Sequence, residues 1–403
     1  PVELFESFAQ EPRGLILTNH HVALGQLQKV SGPDKDYASQ GFYARTAAEE
    51  MKCPDLELNV LLSMEDVTSR VQGAVKKGTG DREAYQARKS EIAKIEKESL
   101  HATGLRSDVV TLYAGGEYWL YLYKKFTDVR LVFAPEQQIA FFGGDPDNFT
   151  YPRYNLDVAL FRAYENGAPA ESPHYLKWNA RGAAEGELVF VSGNPGSTER
   201  LSTMRQIEVE RDVVLPETLK LIRRRLAVLN RYSAEGEEQA RQAMSQVRSL
   251  ENSLKAYGGE YNGLLDRAMM AGKRQEEREF RARAAARPEL AKEFAKAWDA
   301  IRRAQQKRAA RYRELRYRSL RASRIASLAT SIVRYAAESG KPDGERMDGY
   351  HDSQLESLKF GLLSPAPVYP GMETALLADS LQESLDELGP RDPFVQAALG
   401  GRR

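Results

Sequence analysis

Gly14-Leu15-Ile16-Leu17-Thr18-Asn19-His20-His21 is the stretch that decides how the first half of the chain folds. Three aliphatic residues and a threonine behind a glycine read as a short strand, and two adjacent histidines, of only five in 403 residues, stand at its exit. A histidine held at a strand exit can bond one ring nitrogen to a carboxylate and turn the other toward a reactant. That is what a general base needs, and imidazole titrates close to neutral pH. The plainer alternative is a histidine pair that opens the next helix. Outward from this strand, segments 56–62, 109–113, 118–123, 129–133, 157–164 and 187–191 carry β-branched, aromatic or alternating apolar residues bounded by Gly, Pro or Asp. Several short strands of this kind suggest a barrel or sandwich. Between 81 and 101, Ala, Lys and Glu recur with Ile92 and Ile95, the composition of a surface helix with a mostly polar face.

The pattern changes near residue 198. From there to about 339, Ala, Leu, Arg, Glu and Gln dominate with apolar residues three and four apart, which predicts a helical domain. Pro216, Gly236, Gly258-Gly259, Gly272 and Pro288 divide it into four to six helices. Beyond Gly340 the chain is rich in Pro and Gly, and a last helix is expected over 374–388. The expected division is therefore 1–197 for the strand-rich part, 198–340 for the helical domain, and 341–403 for a connection and the start of a C-terminal part.

The 58 basic and 57 acidic side chains leave a formal charge of +1, which gives no whole-molecule argument for nucleic acid or an anionic membrane. Apolar runs stay far below the ~20 residues that span a bilayer. A single cysteine, Cys53, excludes an intramolecular disulfide and a cysteine-only metal cage, and no phosphate-cradling loop or zinc spacing occurs. No metal or organic cofactor is expected. Residues 273–324 hold 18 Lys/Arg against 7 Asp/Glu, a net of +11 that leaves about −10 elsewhere. This basic surface could attract nucleic acid, but it is better read as a solvated face or one neutralised by the acidic remainder. Phe294, Trp298, Tyr312, Leu315 and Leu320 are expected to form a buried stripe along it.

Asp157, in Asp157-Val158-Ala159-Leu160-Phe161-Arg162, opens an apolar strand. A carboxylate there is costly to bury unless a group donates to it, and a histidine Nδ1–H would be oriented in one tautomer by doing so. The His…Asp order is that of the chymotrypsin-type triad, with serine expected last.

With these strings stand Gly143-Gly144-Asp145-Pro146-Asp147-Asn148-Phe149-Thr150-Tyr151-Pro152-Arg153, Gly193-Asn194-Pro195-Gly196-Ser197 followed by Leu201, and Ser249-Leu250-Glu251-Asn252-Ser253-Leu254-Lys255. Together they resemble the bacterial dipeptidyl-peptidase 7 and 11 family, serine peptidase family 46, across most of the chain. The resemblance implies a mixed β plus α fold, a chymotrypsin-like double β-barrel with a large inserted α-helical cap domain, the second barrel largely outside this sequence. It implies His21 as general base, Asp157 as its orienting carboxylate, and a structural His20. It also implies that Asn148 and Asn252 bind the substrate's amino terminus, with Asn262 a nearby alternative to Asn252, and that Phe149 stands where the family often has tryptophan.

The implied activity is serine-type removal of dipeptides from free peptide amino termini, in a periplasmic or secreted bacterial enzyme with no cofactor and a possible homodimer. The family's Gly-Asn-Ser-Gly-like nucleophile loop is not found after residue 340: Ser339-Gly340 lacks the preceding glycine, Ser364 precedes Pro365, and Ser353 and Ser357 lie in a helical polar run. In Gly193-Asn194-Pro195-Gly196-Ser197 a proline holds the nucleophile position, and Ser197 reads as a loop or helix-cap residue. The nucleophile is therefore expected beyond this chain. The competing expectations are a catalytically silent peptide-binding protein of the same fold and a basic helical nucleic-acid binder.

Overall fold

The computed structural model describes residues 13–140, 143–190, 199–294 and 296–400. Its principal elements are β1 (Leu15–Thr18), α1 (His20–Val30), β2 (Phe42–Tyr43), β3 (Met51–Lys52), β4 (Leu58–Asp66), α2 (Asp81–Thr103), β5 (Arg106–Leu112), β6 (Glu117–Phe126), β7 (Asp128–Ala134), β8 (Ala159–Glu165) and β9 (Ala168–Pro169). They continue with α3 (Leu215–Ser233), α4 (Glu237–Leu265), α5 (Arg267–Ala285), α6 (Ala297–Tyr317), α7 (Arg324–Ser339), α8 (Leu355–Leu362) and α9 (Pro370–Leu388). The fold is mixed α and β, and its strand ladders are antiparallel. Contacts gather the described residues into two compact units, neither continuous in sequence: 13–140, 155–180 and 325–368 form one, and 143–154, 181–324 and 369–400 the other.

The first unit holds the strands. One sheet runs β1-β8-β7-β2, with β3 also on β7 and β9 on β8; the other runs β4-β6-β5. Gly14 starts β1 at φ +66°, and a Cβ there would lie 2.4 Å from the Ala163 carbonyl oxygen, so only glycine lets the two backbones approach this closely. The apolar residues of β7 and β8 are largely buried, among them Val129, Leu131, Val132, Leu160 and Phe161, each worth roughly 1.5–3 kcal/mol when removed from water. Helix α2 does more than cover the surface. Ile92 and Ile95 pack with Val67, Val71, Tyr118 and Leu120 against the second sheet, and Glu96 is buried beside them.

Residues 343–364 return to this unit. Lys97 pairs with Asp352 at 2.7 Å, and the hydroxyls of Ser353, Ser357 and Ser364 donate to Glu96, Glu57 and Asp55. The expected strand at 187–191 is corrected: Glu187 to Phe190 form none, and Leu188 and Phe190 are exposed, because no strand among the described residues pairs with them. Val191 lies outside the described residues.

The second unit is helical. Along α3, Leu215, Leu219, Ile222, Leu226 and Leu229 recur at three and four residues and are buried. Val228, Leu229 and Tyr232 form one cluster with Ala243 of α4 and Met372 and Leu376 of α9. Among the described residues 199–339 fold into seven α-helices, not four to six. Gly258, Gly259 and Gly272 do not interrupt theirs, and the break between α4 and α5 falls at Asp266, whose carboxylate accepts the Met269 N–H as an N-cap.

The buried stripe is also corrected: Phe294 and Leu315 are exposed, and in α6 burial falls on Tyr317. Its basic residues meet acidic partners within the same unit, Arg308 with Glu210, Arg313 with Glu217 and Glu387, and Arg318 with Asp392. These pairs compensate part of the charge asymmetry of the sequence.

Candidate active site

Register brings the two sequence-distant residues of the site together. Strand β1 pairs antiparallel with β8 from Leu15 opposite Arg162 to Thr18 opposite Ala159. The chain leaving β1 and the chain entering β8 therefore share one end of the sheet, which puts Asn19-His20-His21 beside Asp157. The His21 ring Nδ1 stands 2.6 Å from Asp157 Oδ2, and the His21 backbone N–H donates to Asp157 Oδ1 at 3.0 Å. Asn19, the residue before α1, donates from Nδ2 to the Asp157 carbonyl at 3.0 Å and to Oδ2 at 3.3 Å.

Asp157 consequently plays two parts. As a carboxylate at the N-terminus of α1 it satisfies one of the amides a helix start leaves without an intrahelical partner, and it sits at the positive end of the helix dipole. It also fixes the ring of His21. Burial opposes ionisation of Asp157, but the bonds from the His21 side chain and backbone outweigh it and hold its pKa below the usual carboxylate range. An ionised carboxylate only accepts, so Nδ1 carries the proton and Nε2 is left as the basic nitrogen. The hydrogen bond to Asp157 raises the His21 pKa against the opposing effect of desolvation. The His21 side chain remains 48% exposed.

His20, by contrast, is buried. It is 0% exposed, neither ring nitrogen has a hydrogen-bond partner among the described residues, and desolvation lowers its pKa. It is a neutral packed group.

The second unit contains the other expected residues. Successive turns close from Asn148 N–H to the Asp145 carbonyl and from Thr150 N–H to the Asp147 carbonyl. One face of α4 holds this loop: Arg248 donates to the Gly143 carbonyl, Lys255 to the carbonyls of Asp145 and Pro146, and between them Asn252 Oδ1 accepts from Asn148 Nδ2 at 2.9 Å. Spacings of four and three put these three side chains on one helix face. A Cβ on Gly143 would lie 2.4 Å from the Arg248 carbonyl oxygen, so the glycine permits the approach. Asn148 is 5% exposed, whereas Phe149 is 65% exposed at φ +62°, a backbone region uncommon for a non-glycine residue.

The structure thus joins His21 to Asp157 and Asn148 to Asn252. Arg153, which donates to Asn148 Oδ1 at 2.6 Å, was not singled out in the sequence. An arginine in a polar loop has no signal of its own. Ser339 donates within its helix, and Ser353, Ser357 and Ser364 donate to carboxylates. Gly193 to Ser197 lie outside the described residues. Among the described residues no group of three or more His, Cys, Asp or Glu side chains could hold a metal ion, and no helix is long and apolar enough to cross a membrane.

A strand-exit histidine oriented by a carboxylate has the geometry a general base requires. The Peptidase S46 family model matches residues 11–403, and the chain belongs to that family. Dipeptidyl-peptidase 7 of Phocaeicola vulgatus is 30% identical over 294 residues, covering 68% of this chain and 40% of its own length. The Asp/Glu-specific dipeptidyl-peptidase of Capnocytophaga gingivalis is 30% identical over 279 residues, covering 66% and 39%. The chain therefore spans about two fifths of these curated relatives. The solved structure of Porphyromonas endodontalis DPP11 in complex with the dipeptide Arg-Glu has the same fold, with a TM-score of 0.71 at 24% identity over 93% of this chain and 56% of that one.

Proposed function

We propose that this chain is the His–Asp and amine-binding part of a serine-type dipeptidyl peptidase that releases dipeptides from free peptide amino termini. The observation that carries the proposal is the His21–Asp157 pair, with ring and backbone of the histidine bound to one carboxylate, in a member of the Peptidase S46 family.

A serine attacks the scissile carbonyl, Nε2 of His21 takes its proton and returns it to the leaving amine, and Asp157 holds the ring and steadies the imidazolium. The serine and the oxyanion hole belong to the family's length that this chain does not span. Asn148 and Asn252 offer amide oxygens to the substrate's ammonium, and Phe149 supplies an aromatic wall.

The same proposal includes a chymotrypsin-like double barrel with an inserted helical cap, division near residues 197 and 340, a periplasmic or secreted location, and a homodimer. Relatives named for dipeptidyl-peptidase 7 and for Asp/Glu specificity match at the same 30% identity, so they support the reaction and not one side-chain preference.

The test is dipeptide release from a free-amine peptide by the full-length protein and its His21→Ala variant. Loss of release with an unchanged melting temperature supports the assignment; undiminished release removes His21 from the mechanism.

A further inference from the structure

We propose that Arg153 is a positioning residue that sets the polarity of the Asn148–Asn252 pair, so that the pair offers oxygen to a peptide ammonium. This rests on the amine-binding role proposed above.

An asparagine amide has an accepting end and a donating end of nearly the same shape, so a ligand sees one or the other depending on which way the group is turned. A guanidinium has no accepting end. Arg153 Nη1 stands 2.6 Å from Asn148, so the atom facing it must be Oδ1; the reverse orientation would set two donors against each other. With Oδ1 fixed on Arg153, Nδ2 of Asn148 faces Asn252 at 2.9 Å, and the facing atom of Asn252 must in turn be its Oδ1. One cation thereby orients two amides in sequence.

Each amide oxygen in this relay accepts one described bond and has a second lone pair, which is what an ammonium requires. Turned over, the pair would present N–H groups that repel it. The relay is firmly seated. Asn148 is buried, its backbone N–H is bound to the Asp145 carbonyl, and Arg248 and Lys255 clamp the loop on either side of Asn252. Arg153 is partly buried and lies 3.9 Å from the Asp147 carboxylate, which offsets its charge near the cationic ligand.

The test uses the full-length protein and a pooled dipeptide library in free-amine and N-acetylated forms, with bound fractions read by mass spectrometry. The readout is the preference for the free amine. The wild type is expected to favour it, and Arg153→Met to reduce the preference about tenfold to a hundredfold, the range of one hydrogen bond to a charged group. Arg153→Lys, which still only donates, is expected to retain most of it. The decisive variant is Arg153→Met with Asn252→Asp. A carboxylate accepts however it is turned, so this pair is expected to regain the preference; a purely structural role for Arg153 gives no such recovery.

Full preference in Arg153→Met, or no recovery in the double variant, overturns the proposal. If Arg153→Met melts early, Arg153→Gln makes the same comparison, because its amide accommodates either orientation of Asn148; full preference there also overturns it. A wild type indifferent to acetylation removes the amine-binding role itself, an outcome distinct from the others.

Discussion

His21 and Asp157, 136 residues apart, meet through two bonds to one carboxylate: the ring Nδ1 at 2.6 Å from Oδ2 and the backbone N–H at 3.0 Å from Oδ1. The backbone bond fixes the carboxylate at the start of α1, and the carboxylate fixes the ring. In Asp157→Asn the amide oxygen can still accept from the backbone, which leaves NH2 facing the ring and favours the wrong tautomer. In the full-length protein kcat is expected to fall by about 10⁴-fold, the scale of this substitution in serine-protease triads, with a small change in melting temperature. A fall below about tenfold would count against the orienting role.

The raised pKa of His21 makes a signed statement about pH. The base must be neutral, so kcat/KM is expected to decline as pH falls through a midpoint above the ordinary imidazole value. The stabilising imidazolium–carboxylate pair follows the linked rule: present below the unfolded histidine's pKa, it is lost as pH rises through the higher folded value. Asp157→Asn should move the acid limb down. A proton NMR titration separates the two rings, since His20, desolvated, should titrate below the ordinary value.

Glu96 offers a test of stability. Burial raises its pKa to about 7, with Asp108 and Asp343 adding repulsion against the bonds from Val109 N–H and Ser353. The folded protein therefore holds a proton that the unfolded chain releases near 4.5, and stability is lost as pH rises from that value toward 7. Glu96→Gln, whose amide can accept from Val109 and donate to Ser353, is expected to stabilise at pH 8 by up to about 3 kcal/mol and to make no difference near pH 4. Denaturant melts at the two pH values check this; equal gains at both would contradict it.

Gly143 tests the loop on α4. A methyl group there meets the Arg248 carbonyl oxygen at 2.4 Å, and the loop must shift away from Asn252. Gly143→Ala is expected to raise KM for a free-amine peptide about tenfold, within the ~1–3 kcal/mol typical of overpacking, while leaving the His21 titration in place. An unchanged KM would mean that the loop's position does not govern binding.

Much of this was legible in the sequence where local pattern and partner agreed. The strand Leu15 to Thr18, the histidines after it and the Asp before β8 could be read because strand alternation and the cost of burying a lone carboxylate both require a partner. Residues 343–364 could not, since Ser353 and Glu96 are ordinary residues until the fold brings them together across 257 positions. Residues 187–190 have strand composition but no neighbouring strand among the described residues, and composition alone does not supply one. Gly258, Gly259 and Gly272 read as breaks, yet packing along α4 and α5 outweighs their low helix propensity. Arg153 was invisible because its meaning lies in the amide it faces.

The most direct test of the central claim is the length of the products. The full-length protein is incubated with a long peptide, free or acetylated at its amino end, and the products are followed by mass spectrometry. The account requires successive release of dipeptides from the free form, none from the acetylated form, and none from either with His21→Ala. Single amino acids, internal cleavage, or equal attack on the acetylated peptide would contradict it.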